Sequence, residues 1–327
     1  MSIRFSAHRH SSSHSRVGIV TDSAAGITTL LPGPVPGLQV VRLPVLIDGR
    51  EITCGSGGLE PAAAADSLAD ENEVLEKVAV AAAEGRRLST SRPGPEAFAQ
   101  AYRELACQGC EHVVAVHLSG QLSGTVSGAR AAAAEAPLPV TVVDSGSVAL
   151  GQAAAVLAAL HRVGSGHSPS EVAQAAGTGA AELLFTVPTL EYLGRSGRIP
   201  KAWAVVGQML GIKPIGIVVQ GRLRYLERPR TLEAAERRMV ELVLQRLEQR
   251  MYEPSGSKPV LVLQESHPGP APTELIHQAR DRWGEDLPVI CGDLPTALTV
   301  HTGLGAWAAG VLDAQLLFGL TRQQQED

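Results

Sequence analysis

The chain has 327 residues, of which 44% are apolar and 19% charged, and its formal net charge is −5. This length suffices for two ordinary domains, and the acidic balance argues against a nucleic-acid-binding protein with a basic face. Aromatic residues make up only 3% of the chain, so stacking platforms for bases or sugars are scarce. We therefore expect a soluble, well-buried globular protein.

The first sixteen residues are basic and rich in Ser and His, and they contain no apolar stretch. A secretory signal needs such a stretch, so we expect a disordered tail over residues 1–16 and a cytoplasmic protein. The longest charge-free apolar stretch, at about residues 145–160, is too short to span a bilayer. The sequence therefore predicts no stable membrane insertion.

Short apolar strands alternate with helices in the first half of the chain. Strands are predicted at 17–20, 40–47, 113–116 and 140–143, and helices at 95–107, 123–135 and 145–163. Pro95 at an early helical position and Glu96 in the first turn indicate where one helix begins. Alternating strands and helices are typical of βαβ units, so we expect an N-terminal α/β domain over residues 17–164 with a mainly parallel sheet.

The segment GSGHSP at 164–169 is the best linker candidate. Ser168, Pro169 and Glu171 then have the spacing of a capping box at the start of a helix. Further strands are predicted at 183–187, 212–219, 222–227 and 260–264, with a hairpin turn at 220–221, and helices at 231–251, 271–283 and 302–318. This pattern predicts a C-terminal α/β domain over residues 165–327 with a mixed sheet.

Four segments of the first half pass from an apolar strand into a turn rich in Ser, Thr and Gly, at residues 17–26, 87–95, 113–125 and 140–151. Ligands bind beyond the carboxyl ends of the strands in parallel α/β sheets. Neutral donors gathered there favour a site for an anionic group. Ser123 also opens a predicted helix, where unpaired backbone N–H groups attract an anion. The most exposed hydroxyls are expected at Thr90, Ser91, Ser119 and Ser123.

Asp22 and Asp144 end two of the predicted strands. A metal site would need further carboxylates, so we interpret both residues as acceptors for turn amides that shape the crevice. Cys107 and Cys110 form a CxxC at the end of a helix, without the second pair of a zinc site or the context of a redox motif. We expect neither a metal nor a cofactor.

Two arginines, Arg195 and Arg198, flank a Ser-Gly turn in LEYLGRSGRI at 190–199 and suit the recognition of an anion. His301 is predicted between a strand and a Gly-rich turn, and both a functional and a structural role stay open for it. A serine nucleophile needs a His base and usually a GxSxG elbow, whose first Gly is missing from QLSGT. A hydrolase or acyl transferase that uses Ser123 and His301 is therefore the alternative.

Seven segments together resemble the DegV family of bacterial lipid-binding proteins, which includes the FakB-type fatty-acid-binding subunits of fatty acid kinase. Each segment is short, but all seven follow the family's order, and the resemblance covers nearly the whole chain from Val17 onward. It implies a non-catalytic protein with the EDD fold, in which two α/β domains bury a fatty acid between them. The segments are IVTDSAAGI (19–27), TSRPGPEAF (90–98), LSGQLSGT (118–125), VVDSGSVALGQ (142–152), LEYLGRSGRI (190–199), LGIKPIGIV (210–218) and HTGLG (301–305).

The resemblance also implies which residues hold the fatty-acid carboxylate. In the family, hydroxyls of the TSxP and LSG turns and the His of the HTG turn bind it, and Arg198 matches the Arg of the GGRI motif. A separate ATP-using subunit then phosphorylates the carboxylate to an acyl phosphate for phospholipid metabolism. Arg228 and Arg230 in RPRT resemble the basic stretch that docks this subunit. The implied carboxylate-binding residues are Thr90, Ser91, Ser119, Ser123, Arg198 and His301.

The chain departs from the family pattern at several positions. Gly120 stands where a second Ser is usual, Ser196 replaces the first Gly of the GGRI turn, and Leu304 replaces the Pro of HTGPG. The Tyr-Asp element that often follows the second strand is absent from EITCGSGG at 51–58. These changes spare the implied carboxylate-binding residues and bear on chain-length preference and kinase docking.

Overall fold

The computed structural model describes residues 16–31, 33–52, 64–178, 181–200, 205, 210–253, 258–266 and 270–316. The tail expected over residues 1–16 lies outside these ranges apart from Arg16, and so does Cys54. Within the described ranges, no helix has both the length and the apolarity needed to cross a membrane.

The helices and strands follow one another in alternation along most of the chain. The strands are β1 (Val17–Asp22), β2 (Leu38–Val41), β3 (Val45–Ile47), β4 (Arg50–Glu51), β5 (Leu88–Thr90), β6 (His112–His117), β7 (Val140–Asp144), β8 (Leu184–Thr186), β9 (Ile215–Val219), β10 (Arg222–Glu227), β11 (Pro259–Glu265), β12 (Val289–Asp293) and β13 (Trp307–Asp313). The helices are α1 (Ile27–Leu30), α2 (Ala64–Ala83), α3 (Pro95–Cys107), α4 (Thr125–Ala133), α5 (Ala149–Gly164), α6 (Pro169–Thr178), α7 (Glu191–Arg195), α8 (Leu232–Met251), α9 (Pro270–Trp283) and α10 (Thr296–Thr302).

The strands form three sheets. In the first half, β2–β1–β6–β7 make a four-stranded sheet in which every pair is parallel. In the second half, β10–β9–β8–β13–β11–β12 make a six-stranded sheet that is antiparallel except for the pair β11–β12. A small antiparallel sheet, β4–β3–β5, lies beside them. The predicted α/β class, with one parallel and one mixed sheet, is confirmed.

Helix α5 is the centre of the molecule. All residues from 149 to 160 are buried, so this helix has no solvent-facing side over that length. It packs against β1 and β6 of the parallel sheet and against β11 and β13 of the mixed sheet. Leu150 N donates to Gln264 Oε1 on β11, and Gln152 Nε2 donates to Thr21 Oγ1 on β1. One continuous core therefore joins the two sheets.

Local signals were sufficient at two positions. The hairpin turn predicted at 220–221 joins β9 to β10, with positive φ at Gln220 (50°) and Gly221 (77°), as a type I′ turn requires. The capping box before α6 is also present, because Ser168 N donates to Glu171 Oε2 and Glu171 N donates to Ser168 Oγ. Both predictions are confirmed.

Two sequence-based expectations were wrong. Within the helix predicted at 302–318, residues 307–313 instead form the strand β13, which pairs with β8 and β11 in the middle of the mixed sheet. Consequently, His301 lies in the last turn of α10 and not at the end of a strand. The single strand predicted at 40–47 is two strands, β2 and β3, which belong to different sheets. Pro44 lies between them and has no N–H to continue a ladder.

Candidate functional site

A cavity lies between the parallel-sheet half and the mixed sheet. It has a volume of about 810 Å³, including the solvent at its mouth. Its walls come from the turns that follow β5 and β6, from α10 and from the inner face of the mixed sheet, and most of the lining side chains are apolar. Among the described residues, the polar lining side chains are Thr90, Ser123, Thr186, Arg198, His301 and Thr302.

A hydrogen bond between Thr90 and His301 closes one part of this wall. Thr90 is the last residue of β5, and His301 lies in the last turn of α10. Thr90 Oγ1 is 2.7 Å from His301 Nε2. The imidazole is buried, whereas Thr90 is half-buried. The predicted TSxP and HTG residues therefore meet at one point of the cavity wall.

The surroundings of His301 keep its imidazole neutral. Burial and, to a smaller extent, the Arg198 guanidinium lower its pKa to about 3. Its Nδ1 atom is buried and has no hydrogen-bond partner among the described residues. A neutral imidazole carries one N–H, on either nitrogen. Consequently, either Thr90 donates to Nε2, or Nε2–H donates to Thr90 Oγ1 and leaves the Thr90 proton free.

Arg198 places a positive charge in the cavity wall. Its side chain is half-buried, and its Nη1 donates to Ser196 O at 2.7 Å. Burial lowers the pKa of Arg198, but a guanidinium starts so high that it stays charged at neutral pH. Arg195, by contrast, is exposed and pairs with Glu191. Of the two arginines in this turn, only Arg198 lines the cavity within the described residues.

Ser123 lines the cavity two residues before α4 begins. Its Oγ is 2.8 Å from Thr125 Oγ1 and accepts a 3.3 Å hydrogen bond from Thr125 N. The first N–H groups of a helix have no partner within the helix and favour an anion. The hydroxyl of Ser123 therefore lies near the N-terminus of α4, which favours a negatively charged group.

Ser91 and Ser119 lie outside the cavity wall, as far as the described residues show. Ser91 is exposed, and its backbone N–H donates to Pro44 O. Ser119 is fully buried; its Oγ donates to Gly221 O at 2.7 Å and accepts from Gln121 N at 3.1 Å. Its hydroxyl thus ties the LSG turn to the β9–β10 hairpin. Carboxylate binding by these two residues stays a prediction that this geometry does not favour.

The two strand-end aspartates hold turns in place. Asp22 is fully buried and accepts hydrogen bonds from Ala24 N, Leu118 N and His117 Nδ1. Asp144 Oδ2 accepts from Gly120 N, and a Cβ on Gly120 would lie only 2.8 Å from that oxygen. A side chain at 120 would crowd Asp144, which is consistent with glycine there. The interpretation of both aspartates as turn acceptors is confirmed.

The remaining predicted residues lie away from the cavity. Arg228 and Arg230 are exposed just beyond β10, which is one of the two edge strands of the mixed sheet. Cys107 and Cys110 are free thiols at the end of α3. Within the described ranges, no group of three or more His, Cys, Asp or Glu side chains could hold a metal ion.

Sequence reasoning missed Glu71, which supports the helix that carries His301. Glu71 Oε1 accepts a 3.1 Å hydrogen bond from Thr296 N, at the start of α10. Burial raises the pKa of Glu71, and the bond from Thr296 N opposes that rise. The two residues are 225 positions apart, and helix α2, which contains Glu71, was not predicted. No local signal connects them.

Comparisons with known proteins agree with this architecture. A profile described as "Uncharacterised protein, DegV family" matches residues 16–314. A DegV domain-containing protein of Streptomyces coelicolor is 33% identical over 296 residues, covering 88% of this chain and 95% of that protein. A relative from Deinococcus radiodurans is 38% identical over 212 residues, covering 63% and 69%.

A solved structure is similar over almost the same span. It is described as fatty acid binding of a DegV family protein from Thermus thermophilus, and it is 31% identical with a TM-score of 0.66. The similarity covers 91% of this chain and all of the Thermus chain. The chain belongs to the DegV family.

Proposed function

We propose that this protein binds a long-chain fatty acid, with the tail in the apolar cavity and the carboxylate beside Thr90, Ser123, Arg198 and His301. The observation that carries this proposal is the composition of the cavity wall, in which a few polar groups interrupt an otherwise apolar lining. The fatty acid binding described for the Thermus relative supports the same ligand class.

The mostly apolar lining of the cavity suits the tail of such a ligand in energy. Each buried CH₂ contributes about 0.8 kcal/mol. A tail of about fourteen methylenes therefore contributes on the order of 10 kcal/mol before ordering costs. This is enough for micromolar or tighter retention.

The polar groups can hold a carboxylate without catalysis. In the tautomer with a proton on Nε2, His301 donates to Thr90 Oγ1, so the Thr90 hydroxyl donates to the carboxylate. The Arg198 guanidinium balances the negative charge, and the Ser123 hydroxyl at the start of α4 offers a further donor. Several donors are needed because an unpaired buried carboxylate is costly.

The geometry disfavours the alternative hydrolase or acyl transferase. A general base should have a pKa near the working pH, whereas the pKa of His301 is about 3. In a Ser-His-Asp arrangement a carboxylate orients the second ring nitrogen, but His301 Nδ1 has no partner among the described residues. We therefore propose a non-catalytic role. Covalent labelling of Ser123 by a fluorophosphonate probe would overturn it.

We further propose that the bound carboxylate is presented to an ATP-using fatty acid kinase subunit in the cytoplasm. A carboxylate oxygen would attack the γ-phosphorus of ATP, and the bond to ADP would break to leave an acyl phosphate. Arg228 and Arg230, both exposed at the end of β10, are the proposed docking residues. Arg237 on α8 is also exposed, at 67% of its side chain, and provides a matched control.

Three experiments test these proposals. Mass spectrometry of the purified, denatured protein should identify a fatty acid, and the stripped protein should bind stearate in a calorimetric titration. Absence of both would overturn fatty-acid binding. With a purified kinase subunit, Arg228→Glu/Arg230→Glu should slow acyl phosphate formation without changing stearate affinity, and Arg237→Glu should not. Equal rates of acyl phosphate formation for the wild-type protein and both variants would overturn the docking assignment.

A further inference from the structure

Gly216 occupies an unusual place, as the second residue of the buried strand β9. Glycine weakens a strand interior and often indicates close approach of another group. In register, Gly216 lies between Phe185 of β8 and Tyr225 of β10. These three positions form a row across the sheet, with the glycine between two aromatic residues.

The ring of Phe185 fills the space that a side chain at 216 would occupy. A Cβ built on Gly216 would lie 2.3 Å from Phe185 Cζ, 2.6 Å from Cε1 and 2.9 Å from Cε2. Those distances are far inside van der Waals contact. The ring therefore lies directly against the backbone of β9, and only glycine permits this position.

Phe185 also belongs to the cavity wall. Leu183 and Val187, two residues before and after it, point to the same face of the sheet and line the cavity as well. Ala308, its partner on β13, is a further lining residue. The ring thus forms part of the cavity wall, and on the side of β9 it lies in the space that a side chain at 216 would fill.

We propose that Gly216 and Phe185 together set the cross-section of the cavity and thereby select the acyl chains that it accepts. This inference rests on the proposed fatty-acid function. Any side chain at 216 forces the ring off β9. The backbone of the sheet blocks movement of the ring on one side. The ring therefore moves into the cavity, where the acyl tail is proposed to lie. A long tail then meets the ring, whereas a short tail leaves empty space that the ring can occupy.

Gly216→Ala tests this directly when stearate and octanoate are titrated side by side. Stearate affinity should fall about tenfold or more, as expected for an overpacked site, and octanoate affinity should stay within about threefold. The double variant Gly216→Ala/Phe185→Leu should recover most of the stearate affinity, because the smaller side chain clears the new Cβ. Gly177→Ala on α6, where the nearest atom to a Cβ is 4.0 Å away, should change neither affinity.

Thermal unfolding of each variant first establishes that it is folded. An unchanged stearate-to-octanoate ratio in folded Gly216→Ala would overturn the inference, whereas failure of the wild-type protein to bind either acid would overturn the proposed function instead. If Gly216→Ala does not fold, Phe185→Leu alone gives the answer. The wider cavity should raise the oleate-to-stearate affinity ratio about threefold or more, because a cis bend needs width. An unchanged ratio would likewise overturn the inference.

Discussion

Thr90 and His301 are 211 residues apart in the sequence, yet their side chains meet at 2.7 Å in the cavity wall. One comes from the end of β5 and the other from the last turn of α10. The contact therefore forms only when the two halves of the chain are folded against each other. The proposed carboxylate site is a product of this closure and not of either half alone.

Loss of the Thr90 hydroxyl should weaken fatty-acid binding. Thr90→Val keeps the shape of the side chain but removes the donor proposed to face the carboxylate. We expect a loss of about 1–3 kcal/mol in stearate affinity, measured by calorimetry. Thr302→Val is the control, because Thr302 also lines the cavity but its hydroxyl donates to Leu298 O within α10. Equal losses in both variants would contradict the role given to Thr90.

His301 should make the folded protein sensitive to acid. Its pKa is about 3 in the fold and about 6.5 when unfolded. The unfolded state therefore binds more protons between these values, and stability falls as the pH drops below 6.5. At pH 4 the penalty is on the order of 3 kcal/mol.

Urea unfolding at pH 7 and pH 4 can measure this penalty. His301→Gln should lose less stability between the two pH values than the wild-type protein loses. His277→Gln, at an exposed position on α9, should behave like the wild type. If His301→Gln shows the same loss as the wild type, the imidazole is not held neutral.

The half-buried Glu71 should contribute as a hydrogen-bond acceptor and not as a charge. Its raised pKa means that the fold binds a proton more readily than the unfolded chain, so stability falls as the pH rises through the window above 4.5. Glu71→Gln keeps an acceptor for Thr296 N and removes that penalty, so its stability at pH 7 should match or exceed the wild type.

Glu71→Ala is the matched comparison. It leaves the first N–H of α10 without its side-chain acceptor and should cost about 1–2 kcal/mol in chemical unfolding. Stearate affinity should also fall, because α10 carries His301. Equal destabilisation by Glu71→Gln and Glu71→Ala would indicate that the charge of Glu71 itself is needed.

Removing the carboxylate of Asp22 should destabilise the fold. Asp22→Ala leaves three donors without their acceptor, one of them the buried His117 ring. We expect a loss of about 3 kcal/mol or more. Asp144→Ala should cost less, since that side chain is exposed and its two donors can turn to water. Similar losses in urea unfolding would argue against the turn-holding role of Asp22.

Elements with strong local signals could be predicted from the sequence. Helix α3 was predicted at the residues where it occurs, because Pro95 and Glu96 indicate its first turn. In the structure, Phe98, Ala101, Tyr102 and Leu105 recur on its buried face. Strand β13 could not be predicted in this way. It is central and largely buried, so WAAGVLD shows no alternation, and its alanines favour a helix. Pairing with β8 and β11 decides its conformation.

In the candidate site, too, some features could be predicted from the sequence and others could not. Thr90, Ser123 and Arg198 were identified from turn motifs, and all three line the cavity. His301 also lines it, but from the last turn of a helix and not from a turn after a strand. The partner of the Ser119 hydroxyl is 102 residues away, at Gly221. A turn motif predicts an exposed hydroxyl, but it does not indicate which distant part of the chain will cover that hydroxyl. For Ser119, contact between the two halves of the chain decides that question.

The position of α5 has a consequence for the release of the proposed fatty acid. This helix belongs by sequence to the first half, but it is bonded to strands of both sheets through Leu150 and Gln152. The two halves of the chain cannot move apart as rigid bodies without exposing the apolar surface of α5. We therefore expect a chain nicked between α5 and α6 to stay assembled and to keep the proposed fatty acid. Its release is then expected through a local opening of the cavity wall, while α5 stays in place.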